Sequence, residues 1–179
     1  MATITAGATG NWSAPGTWIG GIVPGPGDVA RPAAFNVTID VDITVATLEA
    51  TAAGRFLVST ARTITANVVN TTGASSNGVI TLSNGVGTTA TLIGNITCNS
   101  PNSTAPGVVM TGVGALNITG NVVAGGVGAN GYGVNNAGGG TVTLTGDVVA
   151  GAAGNSFGVY NSAGGTLVVN GNVTGSSGT

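Results

Sequence analysis

The feature that most constrains the fold is an internal repeat in the second half of the chain. Four segments share one pattern: LIGNI (92–96), ITGNV (118–122), LTGDV (144–148) and VNGNV (169–173). Their glycines stand at 94, 120, 146 and 171, which gives steps of 26, 26 and 25. A second anchor keeps the same step, in PGVV (106–109), YGVN (132–135) and FGVY (157–160). Two anchors in one register indicate a structural repeat.

A unit of this length accommodates three short strands joined by tight turns. Stacked units place each strand beside its own copy, which produces parallel sheets, and the preferred connection between parallel strands is right-handed. Apolar residues alternate with polar ones, as in TVTLTGDVV (141–149), and this pattern favours strands over helices. The sequence therefore predicts an all-β, right-handed parallel β-helix, a solenoid with coils of about 25–26 residues. ITANV (64–68) with NGVI (77–80) fits as a degenerate earlier copy, with steps of 28 and 29 to the next anchors.

Aligned positions predict columns of apolar side chains along the solenoid axis. The main core column is Leu92, Ile118, Leu144 and Val169, and three further columns are Ala90/Leu116/Val142/Leu167, Ile96/Val122/Val148/Val173 and Val108/Val134/Val159. Thr141, Thr143 and Thr145 are expected to point outward. We expect the Asn95/Asn121/Asp147/Asn172 column to form a ladder of side-chain amides. The carboxylate of Asp147 is predicted to be partly solvated and capped by backbone N–H groups, with a metal or ligand contact as the alternative.

Charge is scarce and unevenly distributed. The chain has three basic and five acidic residues and no histidine, and only Asp147 of these eight lies after residue 62. Such a chain offers no electrostatic basis for binding nucleic acid. No apolar run is long enough for a membrane-spanning helix, and the opening residues MATITAGATGNW lack the basic and apolar blocks of an export signal, so we expect neither membrane insertion nor general export. The lone Cys98 is predicted to be a small apolar core residue.

Candidates for chemistry are few, and we predict no catalytic, cofactor-binding or metal-binding residue. Asp40 and Asp42 are two positions apart and are expected to share one strand face, as the only plausible acid pair for glycoside cleavage. A solvated rim is the favoured interpretation of this pair. Residues 126–131 spell GxGxxG, but the same glycines mark repeat turns and no helix is predicted after them. Glycine-rich calcium repeats need Asp at a nine-residue period, which is absent.

Aromatic residues recur in one register near the end of the chain. Pro106, Tyr132 and Phe157 occupy the same position in successive coils, and Tyr160 follows closely. We expect a stacked rib explained by packing or by a subunit contact, with glycan binding as the alternative.

The segment GNWSAPGTWIGGIVPGPGDV (10–29) contains both tryptophans. The end of a solenoid exposes strand edges and apolar core, so a terminal unit has to cover it. We assign Trp12, Trp18, Pro24 and Pro26 to a cap or docking segment, with a sugar site and a catalytic site as weaker alternatives. The predicted organisation is a cap over 1–35, irregular first coils over 36–90 and regular coils over 91–179, which could continue beyond the chain.

The opening NWSAPGTWIGGIVPGPGDV, followed by VTIDVDITVATLEA and VTLTGDV, resembles parallel β-helix proteins of bacteriophage tail fibres and tailspikes, and also bacterial surface adhesins. The resemblance implies a structural protein of the virion or the cell surface, often trimeric, without catalytic residues. We therefore expect a non-enzymatic fibre or spike segment, or a head-surface fibre or decoration, located in the virion and serving assembly and host attachment. Its partners would be its own copies, other virion proteins and a host surface glycan. The alternatives are a surface or secreted adhesin that binds glycans and a β-helix polysaccharide-degrading enzyme.

Overall fold

The predicted fold class is confirmed. A computed structural model describes residues 1–71, 78–99, 106–125, 132–151 and 156–175. It is an all-β parallel solenoid of about 6 turns, with 52% strand and 4% helix. Within the described part of the chain, no helix has the length and hydropathy needed to cross a membrane.

Nineteen strands are present in the described residues, together with 3-10 helices at Pro15–Thr17 and Ile19–Gly21. The first ten strands are β1 (Thr3–Thr5), β2 (Gly10–Asn11), β3 (Val29–Arg31), β4 (Asn36–Thr38), β5 (Ile43–Ala50), β6 (Arg55–Val58), β7 (Thr63–Asn70), β8 (Ile80–Leu82), β9 (Thr89–Ile93) and β10 (Ile96–Cys98). The others are β11 (Val108–Met110), β12 (Ala115–Thr119), β13 (Val122–Ala124), β14 (Tyr132–Asn136), β15 (Thr141–Thr145), β16 (Val148–Val149), β17 (Phe157–Asn161), β18 (Thr166–Asn170) and β19 (Val173–Thr174).

The strands stack into three faces. The first face contains β9, β12, β15 and β18, and the second contains β10, β13, β16 and β19. The long strand β7 pairs with both β9 and β10, and so joins these two faces into one sheet. The third face is a separate sheet of seven strands, ordered β17-β14-β11-β8-β6-β4-β2. All named strand pairs are parallel, as expected when each strand lies beside its copy in the next coil.

The predicted apolar columns are confirmed. Ile118 pairs with Leu92 on one side and with Leu144 on the other, and Leu144 pairs with Val169. The three other columns are also in register. Leu92, Ile118 and Leu144 are fully buried, whereas Val169 is half-buried because it lies in the last coil. Thr141, Thr143 and Thr145 alternate with buried neighbours and point outward as expected.

The first 35 positions already contribute strands to the solenoid. β1 pairs with β3, and β3 pairs with β5. On the third face, β2 pairs with β4. Both sheets therefore begin within the segment that the sequence assigned to a cap, and the loop between β2 and β3 lies against this first coil. The backbone N–H groups of Gly7 and Ala8 both donate to Thr17 O, at 2.9 and 3.3 Å.

One spacing predicted for the earlier copy is wrong. The sequence placed Gly78 opposite Gly107, a step of 29, but Ile80 pairs with Val108 and Val68 pairs with Ile96, so both steps are 28. The two extra positions relative to the regular coils lie in the turn between β8 and β9. Leu82 and Ala90 are eight positions apart, whereas their strand partners Met110 and Leu116 are six apart. Strand pairing therefore keeps its register while a turn changes length.

Candidate functional site

The two tryptophans form a buried pair in the first coils. The rings of Trp12 and Trp18 meet edge to face with centroids 5.0 Å apart, and Trp18 Nε1 donates to Trp12 O at 2.8 Å. Trp12 also packs against Phe56 of β6, with centroids 5.8 Å apart. The tryptophans are only 2% and 3% exposed. Rings this deeply buried offer no open face to a sugar, and the arrangement favours the cap over the sugar site.

The outer side of this segment carries exposed apolar groups. Pro24 is buried, whereas Pro26 is exposed and so takes no part in sealing the core. Ile19 and Ile22 are 64% and 62% exposed, and they flank a groove of about 390 Å³ beside β1. The rim is held by Asp28, whose carboxylate accepts hydrogen bonds from the backbone N–H groups of Ala2 (3.0 Å) and Gly25 (3.2 Å). These two bonds lower the pKa of Asp28 below its ordinary value.

The prediction that Asp40 and Asp42 share one strand face is wrong. Asp40 and Asp42 lie in the connection between β4 and β5 and not on a strand, so the two-residue spacing does not place them on one strand face. Asp40 accepts hydrogen bonds from Ser13 N (3.0 Å) and Ser13 Oγ (2.6 Å), while Asp42 Oδ1 accepts from Thr63 N at 2.9 Å. Each carboxylate therefore ties a different pair of coils together.

The hydrogen bonds that Asp40 accepts affect the pKa of its carboxyl group. Partial burial raises the pKa of Asp40, but the hydrogen bonds from Ser13, a backbone hydrogen bond of Asp40 itself and the charge of Arg62 together hold the pKa below its ordinary value. A carboxyl group intended as a general acid needs the opposite shift, because it must hold its proton near neutral pH. The environment of Asp40 suits a structural role.

The asparagine column is real, but its hydrogen bonds differ from those predicted. The predicted bonds between side-chain amides are wrong: each side-chain oxygen accepts from the backbone N–H of the next member. Asn67, Asn95, Asn121 and Asp147 accept in turn from Asn95, Asn121, Asp147 and Asn172, at 3.0, 2.8, 2.9 and 2.9 Å. Because the column requires only an acceptor oxygen, the carboxylate of Asp147 makes the same bond as the amides of the other members. The predicted backbone cap of Asp147 is confirmed.

The aromatic residues of the last coils form one cluster, which we call the aromatic cluster: Tyr132, Phe157 and Tyr160. Tyr132 pairs with Phe157 in the sheet, and their rings stack with centroids 5.8 Å apart and planes 16° apart. Tyr160 lies 4.9 Å from Tyr132 and 5.5 Å from Phe157. Phe157 and Tyr160 remain 41% and 36% exposed. Pro106 belongs to the same register but is buried.

The remaining candidates are Cys98 and the GxGxxG segment. Cys98 is buried in the core, and burial raises its pKa to about 12, so its thiol stays protonated. The GxGxxG segment, 126–131, lies outside the described residues. Among the residues that are described, no cluster of three or more His, Cys, Asp or Glu side chains could hold a metal ion.

Sequence reasoning missed a second use of asparagine, inside the turns. Asn84 and Asn136 are fully buried, and their Nδ2 groups donate to carbonyl oxygens within the turn that follows each strand. Asn161 makes the same bond to Gly165 that Asn136 makes to Gly140, at 2.6 and 3.0 Å. The signal was present in the sequence, since Asn followed by Gly four positions later recurs at a step of 25.

No family model matches the chain, and neither a curated protein nor a solved structure shows significant similarity to it.

Proposed function

We propose that this chain is a rigid, non-enzymatic structural segment of a bacteriophage particle, in a tail fibre or spike or in a fibre on the head surface. The observation that carries the proposal is the unbroken strand pairing from β1 to β18, through eight strands of one sheet. About six turns at a strand spacing of about 4.8 Å give a stiff rod roughly 30 Å long. A rod of this kind transmits position and force and needs no cleft.

The two ends of the rod differ in a way that suits this role. All charged residues except Asp147 lie in the first coils, together with the tryptophan pair and the exposed Ile19 and Ile22. The later coils are almost uncharged and carry the aromatic cluster. We assign the tryptophan end to docking on other virion proteins and the aromatic end to the side that faces the host.

Immunogold electron microscopy tests the proposal directly. An antibody raised against the recombinant chain is applied to particles purified from a culture that produces it, and antibody absorbed with free chain serves as the control. We expect gold on the tail or head surface of phage particles. Gold confined to the surface of the bacterial cell would contradict the proposal and favour the adhesin.

The oligomeric state is a separate part of the proposal. We expect a homotrimer, because the chain has few charges and exposed apolar side chains that a subunit contact would cover. Light scattering coupled to size exclusion measures this with the free chain, and we expect three times the monomer mass of 16.9 kDa. A monomer at micromolar concentration would contradict the trimer and leave the rod unaffected.

A second candidate function, a surface adhesin that binds glycans, is favoured by the exposed aromatic cluster. Aromatic rings pack against the apolar faces of sugars, and two rings of this cluster, Phe157 and Tyr160, are 41% and 36% exposed. Glycan-array binding should fall in Phe157→Ala and Tyr160→Ala and persist in Val168→Ala, a control of similar exposure in the same coil. Equal binding by all three variants would remove the cluster as a glycan site.

The polysaccharide-degrading alternative gains no support from the acid pair, because Asp40 and Asp42 are each engaged by a different partner. An assay of polysaccharide cleavage with the parent and the Asp40→Ala, Asp42→Ala double variant checks this directly. Cleavage by the parent that the double variant loses would restore the enzyme hypothesis.

A further inference from the structure

The outer surface of the first face is a regular array of small side chains. We call it the threonine face and define it as the outward-pointing residues of β9, β12, β15 and β18 together with Thr63 and Thr65 of β7. Of these fourteen residues nine are threonine and two are asparagine, and the other three are Ile93, Ala115 and Val168. None carries a charge.

The array repeats in two directions. Strands β9, β12, β15 and β18 pair residue for residue, without a register shift, so their outward side chains form straight rows along the solenoid axis. Rows of this kind repeat about every 4.8 Å between strands and roughly every 6.7 Å along a strand, where every second residue points outward. A surface with this two-dimensional repeat is suited to a ligand that is itself periodic.

The hydroxyl groups of the face are available. In the described part of the chain, the threonine hydroxyls of this face have no protein hydrogen-bond partner. Each can donate one hydrogen bond and accept two. The hydroxyl groups of the face are thus free to bond to water, at the spacing of the strands that carry them.

The area of the face argues against a second copy of this chain as the occupant. Five strands span about 19 Å and the three outward positions span about 13 Å, which gives roughly 250 Å². A stable protein interface buries about 800 Å² on each partner. The trimer proposed above would therefore need a different or much larger surface. The absence of charge also matches an electrically neutral occupant.

We propose that the threonine face binds the surface of ice. The oxygen atoms on the faces of hexagonal ice repeat in two dimensions on a comparable scale, and ice presents only neutral donors and acceptors. Water held by the threonine rows can join that lattice, and each retained water contributes nearly as much enthalpy as a direct hydrogen bond. This inference does not depend on the proposed phage role.

The test compares two lysine substitutions that differ only in the face they obstruct. Thr143→Lys puts a long charged side chain in the centre of the threonine face. Thr97→Lys does the same on β10, where Thr97 is also outward-pointing and half-buried, but on the second face. Thermal hysteresis and partition into a growing ice hemisphere are measured with the full chain, and circular dichroism checks the fold of each variant.

We expect the parent and Thr97→Lys to enter ice and to depress its growth temperature, and Thr143→Lys to lose most of both effects. If Thr143→Lys unfolds, Asn117→Lys replaces it, because Asn117 lies one strand away in the same row and is exposed. The proposal is overturned if the parent shows no ice activity or if both faces respond alike. Binding to crystalline cellulose or chitin, lost in Thr143→Lys without any ice activity, would overturn it in favour of a polysaccharide surface.

Discussion

Replacement of Gly120 by alanine should strongly destabilise the solenoid. Gly120 lies at the bend between β12 and β13 with φ of +147°, a conformation that L side chains rarely adopt. A Cβ atom there would lie 2.2 Å from the carbonyl oxygen of Gly94 and 2.6 Å from its carbonyl carbon. Both are backbone atoms of the neighbouring coil, so no side-chain rotation can relieve the overlap.

The expected loss of stability in Gly120→Ala has two contributions. Holding a non-glycine residue in this region costs about 1–3 kcal/mol. An ordinary contact begins at 3.4 Å, so the coils must separate locally by about 1 Å. That separation weakens the bond from Gly94 N to Thr119 O (3.0 Å) and the bond from Asn121 N to Asn95 Oδ1 (2.8 Å). Each is worth about 0.5–1.5 kcal/mol, and the free energy of unfolding should fall by roughly 2–6 kcal/mol in total.

Urea unfolding followed by far-ultraviolet circular dichroism measures this change. Gly16→Ala is the matched control, because a Cβ atom at Gly16 meets nothing within 4 Å and its φ is not in the restricted range. We expect that variant to stay within about 0.5 kcal/mol of the parent. A Gly120→Ala protein as stable as Gly16→Ala would refute the argument, since the close approach of the coils could then not be real.

Three further predictions concern the core and two titratable groups. Leu144→Ala, which empties a fully buried position, should lower the free energy of unfolding by about 2–5 kcal/mol, whereas exposed Thr145→Ala should change it little; equal urea midpoints would speak against the column. In the folded chain partial burial raises the pKa of Asp40, but the hydrogen bonds from Ser13 help to hold it below its ordinary 3.8. The ionised carboxylate therefore contributes fully to the free energy of unfolding above pH 3.8, and this contribution disappears as the pH falls through the lower folded pKa. The difference in free energy of unfolding between the parent and Asp40→Asn should therefore shrink as the pH falls below 3.8. A difference that persists in strong acid would contradict this prediction. Cys98 is buried and has a pKa of about 12, so it should react with a thiol reagent only when the chain opens. The reaction rate should therefore rise with urea concentration, and a rate independent of urea would disprove this prediction.

The regular coils were predictable because two independent signals agree there. Glycine at 94, 120 and 146 and apolar residues on either side repeat at one step, and burial of one strand face requires that register. The partners of Ile118 and Leu144 followed directly from the alignment. The sequence also placed Tyr132 opposite Phe157, since the second anchor fixes their strand.

The candidate site was less predictable, because its geometry depends on where strands end. Asp40 and Asp42 would share a face only if the strand continued through them, but β4 ends at Thr38 and β5 begins at Ile43. No repeat extends into this region to fix those ends. The burial of Trp12 and Trp18 agrees with rings that cover the end of a solenoid, and their role as a cap stays a prediction. The exposure of Ile19 and Ile22 was not indicated by any repeat or spacing in the sequence.

The glycine column also explains why the first two faces separate where they do. Gly94, Gly120 and Gly146 have φ between +145° and +149°, and each stands where one strand ends and the next begins. In the preceding coil Ala66 occupies this position, and β7 runs through it as one continuous strand, Thr63–Asn70. A Cβ atom at this position therefore accompanies one continuous strand, and its absence accompanies two separate strands with the carbonyl of the previous coil packed against the glycine. Ala66→Gly should consequently leave the free energy of unfolding closer to that of the parent than Gly94→Ala does. A strand interior tolerates glycine at a cost of about 1 kcal/mol, whereas a Cβ atom at Gly94 would overlap Ala66 O.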